Sequence, residues 1–141
     1  MNIKIISTEE ELKQAFAIRT KVFIEEQNVP PEEEIDDLED VSTHFLVTDE
    51  DGSPMGTGRF RILDGYGKVE RICILADYRS KGVGFALMEA IEKHALAEHV
   101  EILKLNAQTQ AIPFYEKLGY GISSDIFLDA GIPHRAMKKH L

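Results

Sequence analysis

The residues with the plainest chemical potential lie between Lys68 and Met88. A strand-like run, Lys-Val-Glu-Arg-Ile-Cys-Ile-Leu from Lys68 to Leu75, is followed by Arg79-Ser80-Lys81-Gly82-Val83-Gly84 and an amphipathic segment. A helix starting at such glycines presents unpaired backbone N–H groups and the positive end of its dipole, which together hold an anion. Gly82 and Gly84 remove the Cβ atoms that would keep a bulky phosphate away from those donors. The spacing Arg-x-x-Gly-x-Gly is not the dinucleotide pattern G-x-G-x-x-G. Nor is it a P-loop, since no Gly-Lys-Ser/Thr follows. Without a ligand, the turn would be only a tight helix start.

Other reactive side chains are isolated. Cys73 is the single cysteine, mid-strand between Ile72 and Ile74, with no histidine close in sequence. A small buried residue explains it better than a nucleophile does. His94 and His99 stand five apart, His44 is alone and His140 is terminal, so no metal site is expected. His134, in Gly131-Ile132-Pro133-His134, could orient a substrate or relay a proton, the usual work of an imidazole near neutral pH. A lone histidine at a turn is equally a structural residue. Glu25, Glu26 and the block from Glu32 to Asp40 could steer a cationic partner to a cleft, or form a solvated loop.

Elements must carry these groups. Asn2–Ile6 reads as a strand, and Ser7 or Thr8, with Glu10 or Glu11 three residues on, as a capping box. Leu12, Ala15, Phe16, Arg19, Val22 and Phe23 keep helical spacing to about Gln27, before Pro30-Pro31 ends the helix. The acidic block has room for one helical turn. From Thr43 to Leu75 three strands with tight turns make a meander. A helix over about 82–98, a strand over 101–107 and a short helix over 109–118 follow. The strands 121–128 and 134–139, joined by a turn at 129–133, complete the sheet.

The order β-α-(α)-β-β-β-α-β-α-β-β is a mixed α/β arrangement without doubly wound alternation. At 141 residues one domain, 1–141, is expected. A net charge of −9 argues against a nucleic-acid partner. Apolar runs are short and interrupted, so no membrane span and no signal peptide are expected. A cytoplasmic protein with no disulfide is the default.

These residues resemble the GNAT superfamily of acyl-CoA N-acyltransferases. A strand, Arg79-x-x-Gly82-x-Gly84 opening a helix, another strand, and then Ala111-Ile112-Pro113-Phe114-Tyr115-Glu116-Lys117-Leu118-Gly119-Tyr120 carry the likeness. Val22–Pro30, Asn106–Ala111 and Asp129–His134 extend it to the small bacterial ElaA/YjcF-type branch, over nearly the whole chain. The resemblance implies a central mixed sheet of six to seven strands with about four helices. It also implies acetyl-CoA lying where two parallel strands splay, here 68–75 and 101–107. Backbone groups of Ile72, Cys73 and Ile74 would pair with the pantetheine arm as an added strand does. Backbone N–H groups of Ser80, Lys81, Gly82, Val83, Gly84 and Phe85 would hold the pyrophosphate, and Arg79, Gln108 and Phe114 would also bind the cofactor. The family often has Asn where this chain has Gln108.

The implied reaction is attack of a primary amine on a thioester by direct transfer in a ternary complex. Tyr115 would be the general acid, since a phenol keeps its proton at neutral pH. The N–H of Ile74 would meet the oxyanion. Glu70 would be a base through water, or the ion-pair partner of Arg59, Arg61 or Arg71. Glu26, Arg71 and His134 are candidates for the acceptor side. The acceptor is a small-molecule or peptide amine, and the acidic block leans toward a cationic one. An amino-sugar phosphate would instead need a local basic site. No metal is implied, and the protein would be a monomer or homodimer. The rival from another class is a non-catalytic acyl-CoA-binding module, against which Tyr115 argues.

Overall fold

Thr8 starts the first helix in the computed structural model, which describes residues 1–141. After β1 (Asn2–Ile5), the Thr8 hydroxyl accepts from the Glu11 N–H, and Glu11 Oε1 accepts from the Thr8 N–H. Of the two capping boxes open in the sequence, the chain uses Thr8 with Glu11. Helix α1 (Glu9–Arg19) does not run uniformly to Gln27. Thr20–Glu26 continues it as a π-helix, a widened winding that turns Phe23 and Gln27 toward the cleft described below. One turn, α2 (Pro31–Glu34), follows with Pro31 at its start.

The meander is β2 (Thr43–Thr48), β3 (Pro54–Leu63) and β4 (Tyr66–Ile74). Helix α3 (Val83–Ala97), β5 (Ile102–Gln108), α4 (Ile112–Lys117), β6 (Gly121–Ile122), β7 (Phe127–Asp129) and β8 (Ile132–His140) follow. Eight strands form one sheet in the order β1-β2-β3-β4-β5-β8-β6, with β7 also on β8. The sheet has eight strands rather than six or seven because the strand expected over 121–128 is broken in two. At the break, Ser124 Oγ accepts the Ala136 N–H and Ser124 O accepts from Arg135 Nε, so a side chain takes the ladder position.

Leu87, Met88, Ile91 and Ala95 of α3 pack on Phe60, Val69, Leu103, Leu105 and Met137, all buried, on one face of the sheet. Ile18, Val22, Leu46 and Cys73 form a smaller cluster on the other face, under α1. Each such side chain contributes about 1.5–3 kcal/mol by leaving water.

A bulge in β4 decides which residues reach which face. Arg59 pairs with Glu70 and Thr57 with Cys73, so Gly58 alone opposes Arg71 and Ile72. Arg71 is left-handed, with φ 58°. An inserted residue reverses the alternation beyond it. Val69 packs toward α3 before the bulge. After it Ile72 and Ile74 pack there, and Cys73 turns to α1. A Cβ on residue 58 would lie 2.6 Å from Ile72 Cδ1, so glycine suits the crowded side of the bulge.

Candidate active site

Only β4 and β5 are parallel neighbours, and they pair over three positions: Gly67 with Leu103, Lys68 with Lys104, Val69 with Leu105. Beyond Val69 they separate into a V. The cleft there has a volume of about 770 Å³. Leu75 N–H donates to Met55 O at 2.9 Å. By strand alternation Ile74 and Ile72 then turn their N–H and C=O groups away from β3, into the V. Those of Cys73 face β3 instead, where it pairs with Thr57. Arg79 Nε donates to Ile74 O at 2.9 Å, so this edge accepts a donor from outside the sheet.

Ser80 and Gly82, with φ of 62° and 80°, put two left-handed residues before α3. Gly82 caps the helix without a side-chain hydrogen bond, leaving the first-turn N–H groups to a ligand. A Cβ on Gly84 would come within 3.2 Å of Phe114 Cζ, so glycine lets α3 approach α4 at the cleft. Arg79, Ser80, Gly82, Val83, Gly84 and Phe85 all line the cleft. Lys81 is exposed and outside the lining, and so is Glu26, whose carboxylate holds Arg79 Nη2 at 2.9 and 3.0 Å.

Tyr115 sits on α4, is 8% exposed and lines the V, with Phe114 and Tyr120 edge-on at 5.0 and 5.9 Å. Burial pushes its hydroxyl well above the usual phenol value, and Cys73 adds to the rise. Burial pushes the Cys73 thiol up in the same way.

Glu70 lines the cleft, yet its Oε1 lies 2.7 Å from Arg61 Nε and 3.1 Å from Arg59 Nη2. Burial pushes this carboxyl up, but the Arg61 hydrogen bond and the Arg59 charge outweigh it and hold it below the usual range. The ion-pair alternative from the sequence is thus present in the structure, and the pairing makes Glu70 a weak proton acceptor.

The pair belongs to a larger network. Arg19, 1% exposed, binds Glu34 and holds Glu39 through two bonds at 2.8 and 2.9 Å. Arg59, also 1% exposed, holds Asp36 at 2.8 and 3.1 Å. Arg71 reaches Glu34 Oε2 at 3.2 Å and Asp36 Oδ2 at 3.3 Å. Four arginines (19, 59, 61, 71) thus face four carboxylates (Glu34, Asp36, Glu39, Glu70). Glu34, Asp36 and Glu39 are therefore neither solvated nor a free lure for cations, while Glu32, Glu33, Asp37 and Asp40 of the same block are exposed and make no ion pair. Arg71 lines the cleft, but its guanidinium is committed to α2 and the segment after it.

Gln108 Nε2 donates to Gln27 Oε1 at 2.7 Å, bridging the end of β5 to the end of the π-helix. His134 is buried at the cleft, its Nδ1 2.6 Å from Ile132 O and its ring stacked 6.0 Å from Phe127. The carbonyl contact makes Nδ1 the donor and leaves Nε2 as acceptor. The cleft also includes Lys68, Asn106, Asp129 and Gln27, which the sequence did not single out as site residues. Alternation along the motif strand places Lys68 on the same side as Glu70, a signal that was available.

The acetyltransferase (GNAT) domain pattern matches residues 6–141. The chain belongs to the GNAT family. It is an acyltransferase by that membership. The Bacillus subtilis protein YjcF, an uncharacterized N-acetyltransferase, is 54% identical over 99% of both chains. Escherichia coli ElaA has the same fold at 19% identity, with a TM-score of 0.86 over 99% of this chain and 100% of ElaA. An aminoglycoside 6'-N-acetyltransferase, whose crystal structure contains coenzyme A, matches at 14% identity and TM-score 0.79 over 99% and 97% of the two chains. The splayed β4 and β5 strands and the sheet with four helices agree with the fold expected from the sequence. No helix is long and apolar enough to cross a membrane.

Proposed function

We propose that residues 1–141 act as one catalytic domain that moves an acetyl group from acetyl-CoA to a primary amine, in the cytoplasm, within a ternary complex. The observation that carries this reading is the opening of β4 from β5 after Val69, with the Ile72 and Ile74 backbone turned away from β3 on one wall and Tyr115 at the same cleft. Acetyl-CoA supplies an acyl thioester, a long amide-bearing arm and a pyrophosphate. The left-handed Ser80 and Gly82, and Gly84 packed without a Cβ, suit the pyrophosphate. The Ile72 and Ile74 edge suits the amides.

Each residue then has a task. The Ile74 N–H donates to the acyl oxygen as it gains charge. The amine nitrogen bonds to the acyl carbon, the carbon–sulfur bond breaks, and Tyr115 gives its proton to the departing sulfur. The proton lost by the amine restores the phenol through solvent. The raised Tyr115 value does not oppose this step. Burial disfavours the charged form of any acid, so a thiolate formed beside the buried Tyr115 would be a stronger base than in water. Glu70, kept ionised by Arg59 and Arg61, supports a positive charge on the approaching ammonium better than it removes a proton. His134, its Nδ1 held by the Ile132 carbonyl, leaves Nε2 as an uncommitted acceptor group at the cleft.

Two measurements test this. Acetyl-CoA should raise the melting temperature, since a ligand selective for the folded state stabilises it. Tyr115→Phe should keep that shift while its rate of thiol release, with an amine panel, falls about 100-fold or more. Equal rates for the two proteins would remove Tyr115 from the mechanism.

A further inference from the structure

One row of side chains crosses the sheet beside the cleft. Arg61 on β3 pairs with Lys68 on β4, Lys68 with Lys104 on β5, and Lys104 with Lys138 on β8. Their strand neighbours Phe60, Val69, Leu105 and Met137 are packed under α3, so the four cations share the opposite face. Helix α1 covers β2, β3 and β4 on that face and leaves the β5 and β8 end open. Like charges directly opposite one another destabilise a sheet, and adjacent strands are only about 4.8 Å apart. The row is more pronounced because the chain as a whole carries −9.

Little within the protein compensates it. Arg61 is answered by Glu70, and Lys104 lies 4.1 Å over the Tyr66 ring. Lys68 and Lys138 have no carboxylate within 4.0 Å. The other carboxylates that Lys68 feels are Glu70, already committed to Arg59 and Arg61, and Asp129 across the cleft. Lys68 is half-buried and lines the cleft just before β4 and β5 separate. Burial pulls its ammonium below the usual value; Glu70 opposes the fall, and Arg61 and Lys104 add to it.

We propose that Lys68, with Lys104 and Lys138 beside it, binds a phosphate monoester carried by the amine acceptor. This rests on the acyl-transfer reading above and names its substrate class: a phosphorylated small-molecule amine. A phosphate monoester carries about −1.5 to −2 at neutral pH, which matches three lysines without carboxylate partners better than a single carboxylate does. Lys68 precedes Ile74 by six residues, at most about 20 Å of strand. A phosphorylated amino sugar has the anion and the amine at opposite ends. Of the acidic block, which would have favoured a polyamine, Glu34, Asp36 and Glu39 are held by Arg19, Arg59 and Arg71, which leaves the exposed Glu32, Glu33, Asp37 and Asp40 as the rival attraction for a cation.

The test compares the wild type with Lys68→Gln. Melting is followed, with saturating coenzyme A filling the pyrophosphate turn, in sodium phosphate and in sodium chloride of equal ionic strength, and acetylation is measured with glucosamine 6-phosphate, glucosamine and spermidine. Phosphate should raise the wild-type melting temperature. Lys68→Gln should melt higher than wild type in chloride, because a repelled charge is gone, and should lose the phosphate increment. The KM for glucosamine 6-phosphate should be at least about tenfold below that for glucosamine, and Lys68→Gln should erase that difference with little change in kcat. Equal phosphate increments in both proteins, or a preference for spermidine, would overturn the proposal. The phosphate arm judges the site whether or not any amine turns over. The acetyl-CoA melting shift separately judges the acyl-transfer reading, so the two can fail independently.

Discussion

Replacing Arg59 with methionine tests whether the arginine–carboxylate network holds the acceptor side of the cleft together. Arg59 is 1% exposed and touches Asp36, Glu39 and Glu70. Removing one member of a buried ion pair costs about 3–5 kcal/mol. Here each carboxylate keeps a second arginine: Asp36 has Arg71, Glu39 has Arg19 and Glu70 has Arg61. The lower end, about 3 kcal/mol, is therefore expected. Titration gives an independent figure. Burial would raise the Asp36 carboxyl, but the Arg59 hydrogen bond and charge lead the groups that hold it at about 2 rather than 3.8. A lowering of that size is worth on the order of 2 kcal/mol at neutral pH, since one unit is about 1.4 kcal/mol. At about 2.1 cal/mol/K per residue, 141 residues unfold with roughly 0.3 kcal/mol/K, so about 3 kcal/mol lowers the melting temperature by about 10 °C. The sign with pH follows from the lowered value. The stabilisation is complete above the unfolded carboxyl range, near pH 4, and is lost as pH falls toward 2. Thermal melts of wild type and Arg59→Met at pH 7, 5, 4 and 3 should show the gap narrowing below pH 4. A gap under about 3 °C at pH 7, or one that stays constant to pH 3, would refute the assignment.

Two local substitutions probe the cofactor side. Gly82→Ala places a Cβ at φ 80°, so it should lose about 1 kcal/mol, or about 3 °C of melting temperature, and bind acetyl-CoA more weakly; an unchanged dissociation constant by calorimetry would mean that the turn does not hold the ligand. Glu26→Gln frees Arg79 from an exposed pair worth at most about 1 kcal/mol. Acetyl-CoA should then bind up to about fivefold more tightly, and weaker binding would show that Glu26 orients Arg79 rather than competing for it.

Periodicity and turn chemistry made much of the fold legible. The α3 stripe, the meander and Thr8 as a cap all follow from local rules that tertiary packing did not override. The departures have specific causes. The π-winding of Thr20–Glu26 leaves the apolar spacing nearly unchanged, so no pattern announces it. Ser124 breaks a strand through a side-chain hydrogen bond that composition does not reveal. The bulge at Arg71 is harder still, because a left-handed arginine has no signature and its effect is to exchange the faces of every later residue in β4. For the site, the glycine turn and Tyr115 were readable because their neighbours in sequence define them. Partner choice was not. Whether Glu34, Asp36 and Glu39 met water or arginine depended on Arg19, Arg59 and Arg71, which lie up to 37 residues away.

That partner choice links stability to specificity. Arg71 is left-handed, a conformation costing about 1–3 kcal/mol, and its guanidinium is held by Glu33 and Glu34 carbonyls and by the Asp36 carboxylate. The acidic segment thus helps fix the bulge that turns Ile72 and Ile74 the right way. Bound to arginine, Glu34, Asp36 and Glu39 cannot also collect a cationic acceptor. Lys68 lines the cleft just before the two parallel strands part, and Lys104 and Lys138 continue its row across β5 and β8 outside the lining. An acidic chain that sets three unpaired lysines on directly facing positions of neighbouring strands, where they repel, retains an arrangement that stability alone disfavours. Binding an anion is the physical role that offsets it.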